Sequence, residues 1–109
     1  MNTSSPYLAK SHNLRIASPD DAMTVIASGI DRCIFTLDDL SPDFFDLRNR
    51  LAGEVFQKFT LYGIRAAFVI PENHGLGERV SELAREHARH AAIRIMPTVE
   101  DAHLWLAKF

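Results

Sequence analysis

Histidine, cysteine and acidic side chains could bind a metal, and the chain has five histidines and one cysteine. His87 and His90 lie three residues apart beside Glu86 in a predicted helix, where one turn could present two imidazole rings to a metal. The stronger helical zinc pattern has two histidines four residues apart with an adjacent glutamate, and the sequence has neither that pattern nor a pair of thiols. We therefore predict no metal site and no cofactor.

A catalytic set would require a nucleophile and a base that lie close together. Ser81 with His74 and Asp101 with His103 are the combinations that can be named. No pattern in the sequence brings either combination together in space. We therefore assign no catalytic residues and favour a domain without enzymatic activity.

The segment 42–62 has the most informative pattern and predicts the longest helix of the chain. Ser41-Pro42-Asp43 is typical of a helix start, and Gly63 ends the pattern. Apolar residues recur in two adjacent stripes, which makes a face wide enough to be covered by both a sheet and another surface. The first stripe comprises Phe44, Leu47, Leu51, Val55, Phe59 and Tyr62, and the second comprises Phe45, Ala52 and Phe56.

Charges of alternating sign follow the other side of this predicted helix, at Asp46, Arg50, Glu54 and Lys58. Such a ladder stabilises a helix by roughly 0.2–0.5 kcal/mol per pair and needs no function to explain it. The alternative is a recognition face for a ligand or a partner. The candidate interaction or ligand residues are Phe45, Asp46, Arg50, Gly53, Glu54, Phe56, Gln57 and Lys58.

Gly53 in the middle of the predicted helix costs about 1 kcal/mol relative to alanine. A close backbone approach would offset that cost, and a packed neighbour explains it more simply than a ligand. Two copies of the helix that cross at Gly53 would also explain the second apolar stripe. We therefore predict a homodimer or another protein partner at this helix.

The turn 71–78 follows a predicted strand and opens a predicted helix, which is where open α/β sheets place ligands. Gly75 and Gly77 could turn backbone amides toward an anion, with help from Arg79. An ordinary strand-to-helix turn explains two glycines equally, and there is neither a phosphate-loop lysine nor a complete dinucleotide fingerprint. Gly75, Gly77 and Arg79 are therefore an alternative site, for a small anionic ligand.

Three short apolar runs, 32–37, 65–70 and 91–96, have strand character, and each precedes a helical pattern. This alternation is typical of parallel βαβ units. A shorter run at 14–17 predicts a first strand, and Ser18-Pro19 then predicts a helix start. Two further helices are predicted over 76–90 and 98–108. The prediction is one α/β domain over 13–109 with a mostly parallel sheet of four to five strands and about four helices, after a polar arm or edge strand over 1–12.

Length and composition exclude several classes of protein. A chain of 109 residues, 47% hydrophobic and 24% charged, suits one ordinary globular domain. The net charge of −2, without a basic stripe, argues against nucleic-acid binding. The sequence has neither a long apolar span nor a signal-peptide pattern, so we expect a cytoplasmic protein that does not bind membranes. The single Cys33 lies in an apolar run and is predicted to be buried.

The sequence of the long predicted helix resembles that of an uncharacterised bacterial family, domain of unknown function 4180. The residues that carry the resemblance are Phe44-Phe45-Asp46-Leu47, Leu51-Ala52-Gly53-Glu54, Gln57-Lys58-Phe59 and Glu100-Asp101-Ala102. It extends from about Ser18 to Leu106. The segment Pro71-Glu72-Asn73-His74 departs from the Gly-Asp type of turn in that family, so the resemblance implies no shared ligand there.

The order of elements is also similar to STAS domains, the anti-sigma-factor antagonists, which mostly bind partners or ligands without catalysis. STAS antagonists carry a phosphorylatable hydroxyl where this chain has Leu47 and Arg48, so the same switch is not expected. The favoured hypothesis is a non-enzymatic binding or regulatory module that acts through helix 42–62. The alternative is a small-molecule carrier or small enzyme with an anionic ligand at turn 71–78.

Overall fold

The computed structural model describes residues 7–46, 48 and 50–109, and strands alternate with helices along them. Within these residues one parallel sheet has the order β1-β2-β3, with β1 Arg32–Thr36, β2 Arg65–Val69 and β3 Ile93–Met96. The α-helices are α1 Pro19–Ala27, α2 Leu51–Leu61, α3 Glu78–Glu86 and α4 Val99–Leu106. Short 3-10 helices cover Ala9–His12 and Leu37–Asp39. The predicted α/β class, with one parallel sheet and four helices, is confirmed.

Helices cover both faces of the sheet. The side chains of each strand alternate between these faces, and both faces carry apolar residues. On β1, Cys33 and Phe35 point to the face covered by α1, α2 and α3, whereas Ile34 points to the face covered by α4. A strand buried on both sides reads as a continuous apolar run, which is why the three runs could be recognised. Cys33 is fully buried, as predicted, and burial raises the pKa of its thiol to about 12.

Two of the predicted helix starts are formed as the sequence indicates. The Asp21 carboxylate accepts hydrogen bonds from the backbone N–H groups of Ala17 (2.7 Å) and Ser18 (3.1 Å), and Pro19 is the first residue of α1. The Thr98 hydroxyl accepts from the Asp101 N–H at 3.1 Å. These caps satisfy amides that have no partner within their helix.

The predicted helix over 42–62 is wrong in its first half, because α2 begins at Leu51. The preceding residues form turns, with 3.0 Å hydrogen bonds from Phe44 N–H to Ser41 O and from Asp46 N–H to Asp43 O. Arg50 has a left-handed backbone (φ 57°, ψ 17°), which cannot continue a right-handed helix. Leu47, a member of the predicted apolar stripe, lies outside the described residues.

The predicted sheet of four to five strands is also wrong for the described residues, which form three. The run 14–17 makes only an isolated bridge between Ile16 and Leu40, because the cap of α1 takes the Ala17 amide. In the predicted arm, residues 9–12 form a 3-10 helix and Leu8 makes one bridge to Ile34. Among the described residues, every helix is too short or too polar to cross a membrane.

Candidate ligand-binding site

A cleft between α2 and α3 brings together residues from two separate predicted sites. Its volume is about 540 Å³, within the usual range for small-molecule pockets. Both helices follow a parallel strand and return antiparallel to it, so both begin at the carboxyl edge of the sheet, where α/β proteins bind ligands. The lining residues are Phe45, Asp46, Arg50, Ala52, Gly53, Glu54, Gln57, Arg79 and Leu83.

The floor of the cleft is apolar, while the second predicted stripe belongs mainly to the core. Ala52 and Leu83 are each 8% exposed, and Phe45 packs edge-on against Phe44 with ring centroids 4.9 Å apart. Phe56 does not line the cleft; it is 6% exposed and packs on Phe68 at 5.0 Å. The breadth of the apolar face is therefore explained within the protomer, without a partner.

The predicted charge ladder is wrong. Asp46 precedes the helix, and the left-handed backbone of Arg50 places that residue at the helix cap. No ion pair joins Arg50 to Glu54 or Glu54 to Lys58 in the part of the chain that the structure describes. Arg50 and Glu54 are exposed at the cleft, whereas Lys58 is half-buried and does not line it. The charged groups at the mouth of the cleft are consequently available to a ligand.

Asp46 instead pairs with Arg48 and holds the turn before α2. Its carboxylate accepts from Arg48 Nε at 3.1 Å, from Nη2 at 2.8 Å and from the backbone N–H at 2.9 Å. These hydrogen bonds to Arg48 lower the pKa of Asp46 to about 2, so the carboxylate stays ionised. An aspartate that binds the amide two residues later competes with helix formation, which accounts for the late start of α2.

Arg79 enters the cleft from α3 and is only loosely paired. Its Nη1 lies 3.5 Å from both Glu82 Oε1 and Glu86 Oε2, longer than a strong charged hydrogen bond. Its Nε is buried without a hydrogen-bond partner among the described residues. The long ion pairs therefore hold the Arg79 guanidinium only weakly at the lining of the cleft.

Gly53 lies at the surface of the cleft, and no packed neighbour among the described residues accounts for it. A Cβ placed on Gly53 would meet no atom within 4 Å, so the predicted close approach does not occur inside the protomer. The open backbone surface is available to a ligand or to another chain.

The alternative site at turn 71–78 is divided by the structure. Gly75 and Gly77 have positive φ values of 67° and 100°, which suit glycine at a turn, and in the described part of the chain neither lines the cleft that contains Arg79. Ser81 and His74 do come together, with Oγ and Nε2 3.3 Å apart, although the sequence could not predict it.

The remaining histidines serve local structure. His87 Nδ1 bonds the Leu83 carbonyl at 2.8 Å, and His103 packs on Tyr7 with ring centroids 5.6 Å apart. Asp101 and His103 are not joined by a hydrogen bond in the described part of the chain. No group of three His, Cys, Asp or Glu side chains converges there as a metal site would require.

Sequence reasoning missed Leu83 as a wall of the cleft. Leu83 lies four residues after Arg79 on α3, and this spacing places both on one helix face. This spacing could have been read from the sequence. The distance between α2 and α3 could not, because it depends on the packing of both helices on the sheet.

One comparison with known proteins identifies a family. The family model described as Domain of unknown function (DUF4180) matches residues 2–106. The searches of the curated proteins and of the solved structures gave no match. Because the family model covers nearly the whole sequence, the chain belongs to the DUF4180 family.

Proposed function

We propose that this chain is a non-enzymatic binding domain that takes a small polar ligand in the cleft between α2 and α3. One observation carries the proposal: the polar side chains of Arg50, Glu54 and Gln57, which have no ion-pair partner among the described residues, surround one cleft of about 540 Å³ together with the loosely paired Arg79. These residues come from segments that are far apart in the sequence. Side chains without partners in a concave site are the usual means of fixing a ligand's orientation.

The charges of the cleft indicate the chemistry of the ligand. Two guanidinium groups suit a carboxylate or phosphate, which each can bind through paired hydrogen bonds. Glu54 can accept a hydrogen bond from an amine or hydroxyl group of the same molecule. The apolar floor formed by Ala52 and Leu83 suits a short hydrocarbon portion. A small amino-acid-like or phosphorylated hydroxyl compound combines these features.

The backbone of Arg50 supports a binding role. A left-handed conformation at a residue other than glycine costs roughly 1–2 kcal/mol, and such strain concentrates at ligand sites. The described lining of the cleft contains no serine, threonine, cysteine or histidine, so it offers no hydroxyl or thiol nucleophile activated by a histidine base. STAS domains, to which the element order predicted from the sequence is similar, mostly bind partners or ligands without catalysis, a likeness at the level of layout alone.

A thermal-shift screen of amino acids, phosphate and small phosphorylated compounds tests the proposal. A ligand at one hundred times its Kd stabilises the fold by about 2.7 kcal/mol. We expect Arg50→Gln and Arg79→Gln to reduce the shift, because each removes a guanidinium from the cleft.

Arg89→Gln is the matched control, since Arg89 is exposed and lies outside the cleft. A ligand response that all three variants share equally would contradict the proposed site. A flat response of the wild type across the panel would leave the proposal without support.

Homodimer formation across α2 is a second candidate function. Gly53 and Gln57 are exposed on α2, and Leu61 at its end is 75% exposed. These residues are spaced by four and therefore follow one side of the helix. A second copy could contact these residues without any rearrangement of the core. Phe56, in contrast, is buried in the core and is not accessible to a partner.

Native mass spectrometry of the purified protein tests this candidate. We expect a dimer that Leu61→Glu dissociates, while Leu104→Glu, at a 69% exposed position on α4, leaves it intact. A monomer at micromolar concentration would rule the dimer out, and so would an equal effect of the two variants.

A further inference from the structure

A second cavity, of about 330 Å³, lies at the carboxyl ends of β2 and β3. The helix α3 stands between it and the first cleft, and the two share no lining residue. Its lining is mainly apolar and includes three polar side chains, two of which, His74 and Ser81, lie in contact. The apolar residues are Ile70, Pro71, Val80, Ala84, Ile95, Met96 and Pro97, and the polar ones are Glu72, His74 and Ser81.

Hydrogen bonds fix the tautomer of His74. The Leu76 backbone N–H donates to His74 Nδ1 at 2.8 Å, and a backbone amide can only donate. Nδ1 therefore holds a lone pair, and the neutral ring carries its proton on Nε2. Since Nε2 lies 3.3 Å from Ser81 Oγ, His74 donates and Ser81 accepts.

This direction excludes a serine nucleophile activated by His74. Such a pair needs a lone pair on the histidine nitrogen that faces the hydroxyl. Ser81 Oγ instead keeps a second lone pair with which it can accept from a ligand. The cavity lining thus includes a hydroxyl oxygen that can accept a hydrogen bond from a ligand.

The charge of the cavity has the opposite sign to that predicted for the turn. Glu72 is the only charged residue of the described lining, and no ion pair engages it within the described chain. Arg79, the predicted cation, faces the other cleft beside Glu82 and Glu86. A carboxylate and a hydroxyl acceptor favour a donor-rich cation and disfavour an anion.

We propose that this cavity binds a small aliphatic amine. Its ammonium group donates to Glu72 and to Ser81 Oγ, and its hydrocarbon chain packs on Val80, Ala84 and Ile95. An alkylamine remains protonated at pH 7, as a lysine side chain does. This site does not depend on the function proposed for the first cleft.

Titration of ¹⁵N-labelled protein with hexylamine, 1-hexanol and hexanoate tests the site, because the three probes share a chain and differ in head group. We expect hexylamine to bind most tightly and hexanoate most weakly, with NMR shifts at the amides of Ser81, Ala84 and Ile95. Shifts at Arg50 and Gln57 would report the first cleft instead, so the two proposals can fail separately.

Glu72→Gln should weaken the binding of hexylamine by up to about fivefold, the range expected for an exposed ion pair. It should leave the affinity for 1-hexanol unchanged. The matched control is Glu100→Gln, which removes the same charge outside the cavity. Ala84→Leu should weaken all three probes, because the larger side chain fills the space. Hexanoate binding as tight as hexylamine binding, or shifts that do not map to the cavity, would overturn the proposal.

Discussion

Gly53 is a residue at which stability and binding can be separated. Its backbone is helical, and a Cβ there meets nothing within 4 Å. Gly53→Ala should therefore raise the free energy of unfolding by about 0.5–1 kcal/mol, because alanine loses less backbone entropy on folding. That gain corresponds to a rise in Tm of roughly 2–8 °C for a domain of this size.

Gly53→Ala should weaken ligand binding where the ligand lies against the Gly53 backbone, because the added methyl group occupies that space. The Tm of Gly53→Ala without ligand measures the first effect, and the shift on ligand addition measures the second. Gln57→Ala is the companion variant, since it removes a cleft side chain at a position that already carries a Cβ. A Gly53→Ala protein less stable than wild type would contradict the open position seen here.

At the scale of the element, α2 shows what a periodic pattern can and cannot predict. The apolar spacing continues from Phe44 through Tyr62, so periodicity alone predicts one helix. Non-local packing of Phe44 and local bonding of Asp46 to Arg48 decide where the helix starts. Both effects depend on specific side-chain contacts, and the helical periodicity of apolar residues carries no information about such contacts.

The start of β3 depends on a histidine and should therefore be sensitive to pH. His90 Nδ1 accepts from the backbone N–H groups of Ala92 and Ile93, both at 3.0 Å. Burial lowers the pKa of His90, and electrostatic interactions with His87 and Arg94 lower it further. The folded state thus favours the neutral ring, and protonation would place a proton against two donors.

The sign of the pH effect follows from that lowered pKa. Because the unfolded chain binds the proton more readily, the His90 contribution is complete above about pH 6.5 and is lost as the pH falls below that value. Denaturant unfolding between pH 7.5 and 5 measures the loss. His90→Asn should reduce this pH dependence, since an asparagine oxygen accepts from the same amides at either pH. His103→Asn serves as the control, and an equal effect of both variants would contradict the assignment.

At the scale of the whole molecule, the sheet was more predictable than the sites. The runs at β1, β2 and β3 are apolar because both faces are covered, and this property is local to each strand. The cleft depends instead on the placement of α3, with Arg79, beside the start of α2, with Arg50. No local sequence pattern indicates that packing. For the same reason the sequence did not indicate that Arg79, which was predicted to act with Gly75 and Gly77, lines the neighbouring cleft.

A cluster of aromatic rings joins the sheet to α2 and should account for much of the stability of the domain. Phe68 is fully buried at its centre, with ring centroids 5.2 Å from Phe35, 5.7 Å from Phe44 and 5.0 Å from Phe56. Phe68→Ala should cost about 3–5 kcal/mol, because it removes apolar contacts and leaves a cavity. The free energy of unfolding of a native domain is only about 5–15 kcal/mol, so this variant should be near the limit of folding.

Phe68→Leu keeps the protein measurable, since leucine fills part of the space and should cost less than Phe68→Ala. Phe109→Ala is the control of the same residue type at a 51% exposed position. Urea unfolding of the three variants gives the ranking. If Phe68→Leu were no more destabilising than Phe109→Ala, the cluster would not be the centre of the core, and the positions of α2 and of both cavities relative to the sheet would have to be reconsidered.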